Sequence, residues 1–214
     1  MSKTGMLGLL GALAGAAGAG AVEVGFDGQA VGRAPQGWTC GTTGSGRSAW
    51  SVEADAAAPG ARQVLKRSGN ADFSWCVLDA EPPHADGTVQ VKFKPISGRD
   101  DQAGGLVWRW KDKDNYYVAR ANALENNVAL YYTESGRRKT ITYVDAPVAA
   151  NAWHTLSVEF AGPKIRVLLD GRLRIERDDA HIAGAGKSGV WSKADSVTAF
   201  TAFVATPVGA AAAK

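Results

Sequence analysis

The chain has 214 residues, 45% of them hydrophobic, which suffices for one domain with a sizeable core and is short for two of ordinary size. Its 24 basic and 21 acidic residues leave a formal net charge of +3, and they are scattered without the basic run that tracks a phosphate backbone, so no nucleic-acid partner is expected. His84, His154 and His181 are isolated and the two cysteines have no neighbouring His or Asn, so neither a zinc site nor an activated thiol is expected.

At the start, one cation, Lys3, precedes an uncharged stretch of Gly, Ala and Leu that ends in Ala19-Gly20-Ala21. That order predicts an export signal over residues 1–21, cleaved after small residues, with a mature chain from near Val22. A membrane anchor is the competing reading, since the stretch approaches the ~20 residues that cross a bilayer, but its Gly and Ala content makes a poor bilayer helix. An exported chain matures in an oxidising compartment, periplasmic or extracellular, where Cys40 and Cys76 are expected to form one disulfide, with two free buried thiols as the alternative. Trp38, Trp50 and Trp75 flank these cysteines and are expected to pack around them, while Trp153 is assigned to the core.

Beyond residue 22 the pattern alternates with period two. Val89, Val91 and Phe93 interleave with Gln90, Lys92 and Lys94; Leu156, Val158 and Phe160 interleave with Thr155, Ser157 and Glu159. Ile165, Val167 and Leu169 continue the pattern after Ala161-Gly162-Pro163-Lys164, whose Gly and Pro predict a tight hairpin. Further strands are expected at 22–26, 49–54, 62–67, 73–79, 102–111, 115–122, 127–133, 139–144, 172–176, 187–192 and 197–205, separated by turn pairs such as Asp27-Gly28, Ser135-Gly136 and Asp170-Gly171. Helix is confined to one turn near 178–183, and the Ala-rich tail, 208–214, is expected to fray. So many short, closely spaced strands mean an all-β sandwich or barrel spanning residues 22–207.

The Trp-led hairpin AWHTLSVEFAGPKIRVLLDGRL, residues 152–173, resembles that of laminin G-like and other concanavalin A-like domains. GRDDQAGGLVWRWKDKDNYYVARANALENNVALYY (98–132) and GKSGVWSKADSVTAF (186–200) resemble exported bacterial proteins of the 3-keto-disaccharide hydrolase domain family. The similarity runs from about Phe26 to Val204. It implies a concanavalin A-like jelly-roll sandwich of two antiparallel sheets and, less directly, chemistry on oxidised sugars.

Family 16 glycosidases carry Glu-x-Asp-x-x-Glu, which sets two carboxyl groups side by side; the nearest match here is Glu53-Ala54-Asp55-Ala56-Ala57-Ala58, with Ala58 where the acid should stand. A stronger candidate is the hairpin over 102–122. With a turn at Asp112-Lys113 and Lys111 facing Asp114, Arg109, Tyr116, Arg120 and Asn122 share one face, and Leu106, Trp108, Trp110, Tyr117, Ala119 and Ala121 share the other. Beside the small Gly104 and Gly105, those polar groups suit sugar hydroxyls or a sugar keto or carboxylate group; the alternative is a solvated face of Arg–acid pairs involving Glu125 or Asp114. Trp191 is expected as a plate for a pyranose ring, with Lys193 to orient it, and the alternative for Trp191 is core. Glu125 or Asp195 is the candidate general base should the site be catalytic, with Arg109 or Arg120 stabilising an oxyanion. No cofactor is expected; calcium is conceivable at Asp100-Asp101, at Asp112 with Asp114, or at Asp178-Asp179, where acids on loops equally well form turns.

Three functions follow: an exported module that binds a glycan on its concave face, a hydrolase or lyase acting on 3-keto-glycosides, or a laminin G-like domain that binds protein or serves as structure.

Overall fold

A computed structural model describes residues 20–208. The described residues form thirteen strands and no helix: β1 (Val22–Val24), β2 (Trp38–Ala54), β3 (Gln63–Leu78), β4 (Gly87–Ser97), β5 (Ala103–Asp112), β6 (Asn115–Asn122), β7 (Asn127–Glu134), β8 (Arg137–Asp145), β9 (His154–Ala161), β10 (Lys164–Leu169), β11 (Arg172–Asp178), β12 (Lys187–Ala194) and β13 (Val197–Pro207).

The alternating segments are strands with one buried face. Val89, Val91 and Phe93 of β4 and Leu156 and Val158 of β9 are fully buried, while the residues between them reach the surface. Each such side chain contributes about 1.5–3 kcal/mol through the water it sheds. Turn chemistry sets the registers. Ala161 pairs with Lys164 across Gly162-Pro163, and Asp170 (φ 52°) and Gly171 (φ 72°) both take the left-handed conformation that a two-residue hairpin between β10 and β11 requires.

Hydrogen bonding is antiparallel and continuous in the order β11-β10-β9-β4-β13-β3-β12-β5-β6-β7-β8. The path divides into two layers at β3. Leu65–Arg67 pair with β13, whereas Ala71–Val77 pair with β12, so one strand belongs to both layers and β2 accompanies it along its length. Between the layers lies the main core, where Val91, Phe93 and Val158 from one side meet Leu106, Trp108, Tyr117 and Val190 from the other. This is a jelly-roll sandwich whose two sheets are joined through a shared corner strand.

Four expectations change. β2 begins at Trp38 and β3 is unbroken from Gln63, because pairing between them, not apolar alternation, extends Thr- and Gly-rich sequence. Residues 178–183 hold no helix; β11 runs to Asp178, and the carboxylate of Asp179 accepts hydrogen bonds from the Tyr117 hydroxyl and the His181 amide, holding an open bend. As expected, Cys40 and Cys76 are disulfide-bonded, directly across β2 and β3, but their aromatic surroundings differ. Of the three flanking tryptophans, Trp38 and Trp50 share the core with Cys76, against Phe203 and Phe200; Trp75, one residue from Cys76, faces the other way and packs on Trp110. Trp153 is half-buried over a small satellite cluster, with Lys94 Nζ 5.0 Å from its ring centre. The expected signal lies outside the described residues but for its last two positions, and the tail lies outside beyond Val208.

Candidate functional site: the hollow face of the β12–β8 layer

The counted register of the 102–122 hairpin holds from Ala103↔Asn122 to Trp108↔Tyr117 and breaks near the turn. Asp112 pairs with Asn115, so the turn is Lys113-Asp114, and Arg109, Trp110 and Lys111 bulge opposite Tyr116. Arg109 (φ 46°) absorbs the extra length. Tyr116, Arg120 and Asn122 therefore keep their shared outer face, while Arg109 and Trp110 exchange sides. Arg109 turns inward over Phe160 and donates to the carbonyls of Ala85 (2.8 Å), Ile182 (3.2 Å) and Gly162 (2.7 Å), clamping three loops rather than facing the candidate site.

The outer face of this layer is strongly curled. In a flat sheet β8 and β3, five strand positions apart, would lie about 24 Å from each other. Instead Arg138 of β8 lies 4.6 Å from the Phe73 ring centre on β3 and 5.9 Å from that of Trp191 on β12. The resulting hollow is lined by a second cluster that includes Trp75, Tyr116, Val118, Tyr131 and Trp191. Trp191 and Tyr116 are fully buried in it, so neither is an open plate for a sugar ring. A Cβ on Gly105 would stand 3.3 Å from Trp191 and 2.7 Å from the Ala119 carbonyl, and one on Gly104 would strike the Phe93 ring, so these glycines mark close packing and not open space. Thr43 Oγ1 sits 2.8 Å from the Tyr116 hydroxyl and accepts from Trp75 Nε1 (3.2 Å), which knots the floor together.

Charge gathers at one end of the hollow. Arg120 donates from Nη2 to Glu125 Oε2 (2.7 Å) and to the Tyr131 hydroxyl (3.0 Å), and from Nη1 to Asn127 Oδ1 (3.1 Å). Burial disfavours its charge, but Tyr131, Glu125 and Asp101 outweigh that and hold the guanidinium above its ordinary pKa. Burial alone would likewise raise the Glu125 carboxyl, yet hydrogen bonds from Arg120 and Asn127 bring it below the usual value. Behind them Asp101, fully buried, accepts from Asn122 Nδ2 (2.9 Å) and lies 2.8 Å from Lys193 Nζ. There burial wins: Asp101 is pushed up in pKa, with Lys193 and Arg120 opposing only in part. Arg120, Asn122, Glu125 and Lys193 thus form one network, Tyr116 and Trp191 lie beneath it, and Arg109 stands apart.

Asp195 serves the backbone. Its carboxylate accepts from the amides of Arg99 (2.6 Å), Asp100 (3.0 Å) and Asp101 (3.1 Å), and these bonds outweigh a slight burial penalty and lower its pKa. Residues not anticipated as site members are Phe73, Asn127, Tyr131 and Arg138, and the sequence offers Asp101 only as a calcium ligand. Tyr131 alone had a signal, since its strand continues the alternation opposite Val118; Arg138 and Phe73 meet only because the sheet curls.

The Glu53/Asp55 pair belongs elsewhere: Glu53 accepts from Ser51 (2.7 Å), and Asp55, its pKa lowered mainly by a hydrogen bond from Lys94 (2.6 Å), closes the end of β2. Of the acids considered for calcium, Asp112 accepts from the Asp114 amide (2.8 Å) and Asn115 Nδ2 (2.9 Å), and Asp101 and Asp179 are engaged as above. Among the described residues no group of three or more His, Cys, Asp or Glu converges as a metal site. A surface cleft of about 330 Å³, lined in part by Glu23, Asp27, Pro59 and Phe203, lies away from the hollow and brings no cation to it.

This arrangement is a jelly-roll sandwich with a charged network above an aromatic-floored hollow. The chain is similar to the carbohydrate-binding module CBM66 from Bacillus subtilis, with a TM-score of 0.63 and 23% identity over 78% of this chain and 93% of that one. It is also similar to a β-glucanase from Bacillus licheniformis, with a TM-score of 0.59 and 14% identity over 89% and 99% of the two chains. Likeness at these identities establishes the shared fold. In sequence it is 27% identical to a levanase from Bacillus subtilis (strain 168) over 118 residues, which is 55% of this chain and 15% of the levanase, so the match spans a small part of that relative. No protein-family model matches the chain. Among the described residues no helix is long and apolar enough to cross a membrane.

Proposed function

We propose that this chain is an exported carbohydrate-binding module that holds a glycan at the charged end of the hollow, through Arg120, Glu125, Asn127 and Lys193. The observation that carries the proposal is the Arg120–Glu125–Asn127 network. Its guanidinium, carboxylate and amide are fixed by mutual hydrogen bonds; Arg120 is buried and holds the network from behind, while Glu125, 42% exposed, and Asn127 present it to solvent, as sugar hydroxyls require. The buried aromatic floor supports this role by stiffening the network, and sugars would rest on the rim above it. The CBM66 likeness in fold and the levanase match in sequence point the same way. The Cys40–Cys76 disulfide supports an oxidising compartment, periplasmic or extracellular.

A second reading, a hydrolase or lyase of the 3-keto-disaccharide hydrolase kind, is favoured by one detail. Both hydrogen bonds to Glu125 reach Oε2, and Oε1 has no partner among the described residues. A base there would act with a depressed pKa, which weakens it. Glycan-array binding by the purified mature chain, paired with a turnover screen on 3-keto-glucosides with and without calcium, separates the two. Binding without turnover, lost in Arg120→Ala while the thermal melt stays cooperative, is expected. Turnover abolished by Glu125→Gln would move the assignment to the enzyme, and silence in both assays would leave a protein-binding or structural module.

A further inference from the structure

Among the described residues, Arg138 is the guanidinium of the hollow that no carboxylate pairs with. Arg120 and Arg138 flank the same ring, at 5.7 and 4.3 Å from the Tyr131 centre, but only Arg120 has a carboxylate. Among the described residues Arg138 makes no hydrogen bond and has no carboxylate within 4.0 Å, and its Nη1 is buried without a partner. Its plane is held between Phe73 at 4.6 Å and Tyr131 at 4.3 Å, with Trp191 at 5.9 Å, so the side chain is fixed in place by aromatic packing and not by an acid. Burial lowers its pKa and the neighbouring Arg120 charge adds to that, with Tyr131, Asp101 and Tyr116 opposing only in part, so an anion arriving there would favour its charged form. Acids of the chain do not serve it: Glu125 and Asp101 are committed to Arg120 and Lys193. Thr133, which pairs with Arg138 across β7 and β8, places a buried hydroxyl between it and Tyr116.

Resting on the glycan-binding reading, we infer that the sugar held at this face is acidic, a uronate whose carboxylate takes the in-plane edge of the Arg138 guanidinium while its hydroxyls meet the Arg120–Glu125–Asn127 network. A planar carboxylate matches a guanidinium fork with two parallel hydrogen bonds, and an ammonium cannot reproduce that geometry. Neutral sugars would leave the fork unanswered.

The test is titration of the purified chain with polyuronate oligosaccharides, with the same oligosaccharides after chemical reduction of their carboxyl groups, and with sulfated oligosaccharides of matched length. Expected are at least tenfold tighter binding of the uronate than of its reduced form, a loss of tenfold or more in both Arg138→Lys and Arg138→Met, and less than twofold change for the reduced form. Arg138→Met keeps apolar packing between Phe73 and Tyr131, and its melting curve reports whether the hollow stays intact. Equal binding of the uronate and reduced forms would overturn the acidic-sugar assignment and leave the module standing. Sulfated glycans bound as tightly as uronates would overturn the carboxylate in favour of any anion. No binding of any glycan would remove the underlying reading itself.

Discussion

Single side chains in this protein show how little a residue type says about its job. Asp195 carries three backbone amides of the 99–101 loop, so Asp195→Ala should destabilise the fold by about 2 kcal/mol, a loss of charge-assisted hydrogen bonds discounted for partial exposure. Because its folded pKa is lowered, its contribution is fully present above the ordinary aspartate value of about 3.9 and disappears as pH falls through the folded value. Urea unfolding of wild type and variant between pH 7 and pH 3 checks this: the gap between them should close on the acid side. Asp101 runs the other way. Its raised pKa contributes stability below the ordinary aspartate value that is lost as pH rises through the folded value, so Asp101→Asn should cost less at neutral pH than its burial suggests.

At the scale of elements, the paired strands β2 and β3 are the spine of the molecule, and the Cys40–Cys76 bond joins them across a sequence separation of 36. Closing a loop of that length is worth about 3–4 kcal/mol of unfolded-state entropy, so the Cys40→Ser, Cys76→Ser double variant should lose about 2–4 kcal/mol, read as a lower denaturant midpoint. A melt indistinguishable from the oxidised protein would remove the disulfide from the account of stability. Where β5 passes under Trp191 the backbone has no room. Gly105→Ala must displace either Trp191 or the Ala119 carbonyl, at a cost of about 1–3 kcal/mol. The same displacement should raise the near-ultraviolet mobility of the tryptophans, and an unchanged near-ultraviolet circular dichroism spectrum would count against the packing described.

For the whole molecule, two layers that share β3 cannot come apart independently. Denaturant unfolding followed by tryptophan fluorescence and by far-ultraviolet circular dichroism should give coincident single transitions. Separate midpoints would mean that the β12–β8 layer opens by itself. The curl of that layer also joins stability to the proposed binding, because Arg138, Phe73 and Tyr131 touch only while the sheet stays curled. An acidic glycan bound there should therefore raise the melting temperature, by an amount that grows with the logarithm of its concentration over Kd.

Much of this was legible in the residues themselves. Alternation is local, since period two puts Val89, Val91 and Phe93 on one face wherever the strand lies, and Gly and Asp at turns select hairpins without help from the rest of the chain. The strands, the tight turns and the outer placement of Tyr116, Arg120 and Asn122 came from that, and the pairing of the two cysteines from the oxidising compartment that an export signal implies. Tertiary structure decided what depends on distance between strands far apart in order. It inserted a bulge that turned Arg109 inward, buried Trp191 under its neighbours, made Asp195 a loop clamp and brought Arg138 from the last strand over Phe73. Curvature and bulges sum many small twists and a few unpaired residues, and no single stretch of sequence carries that sum.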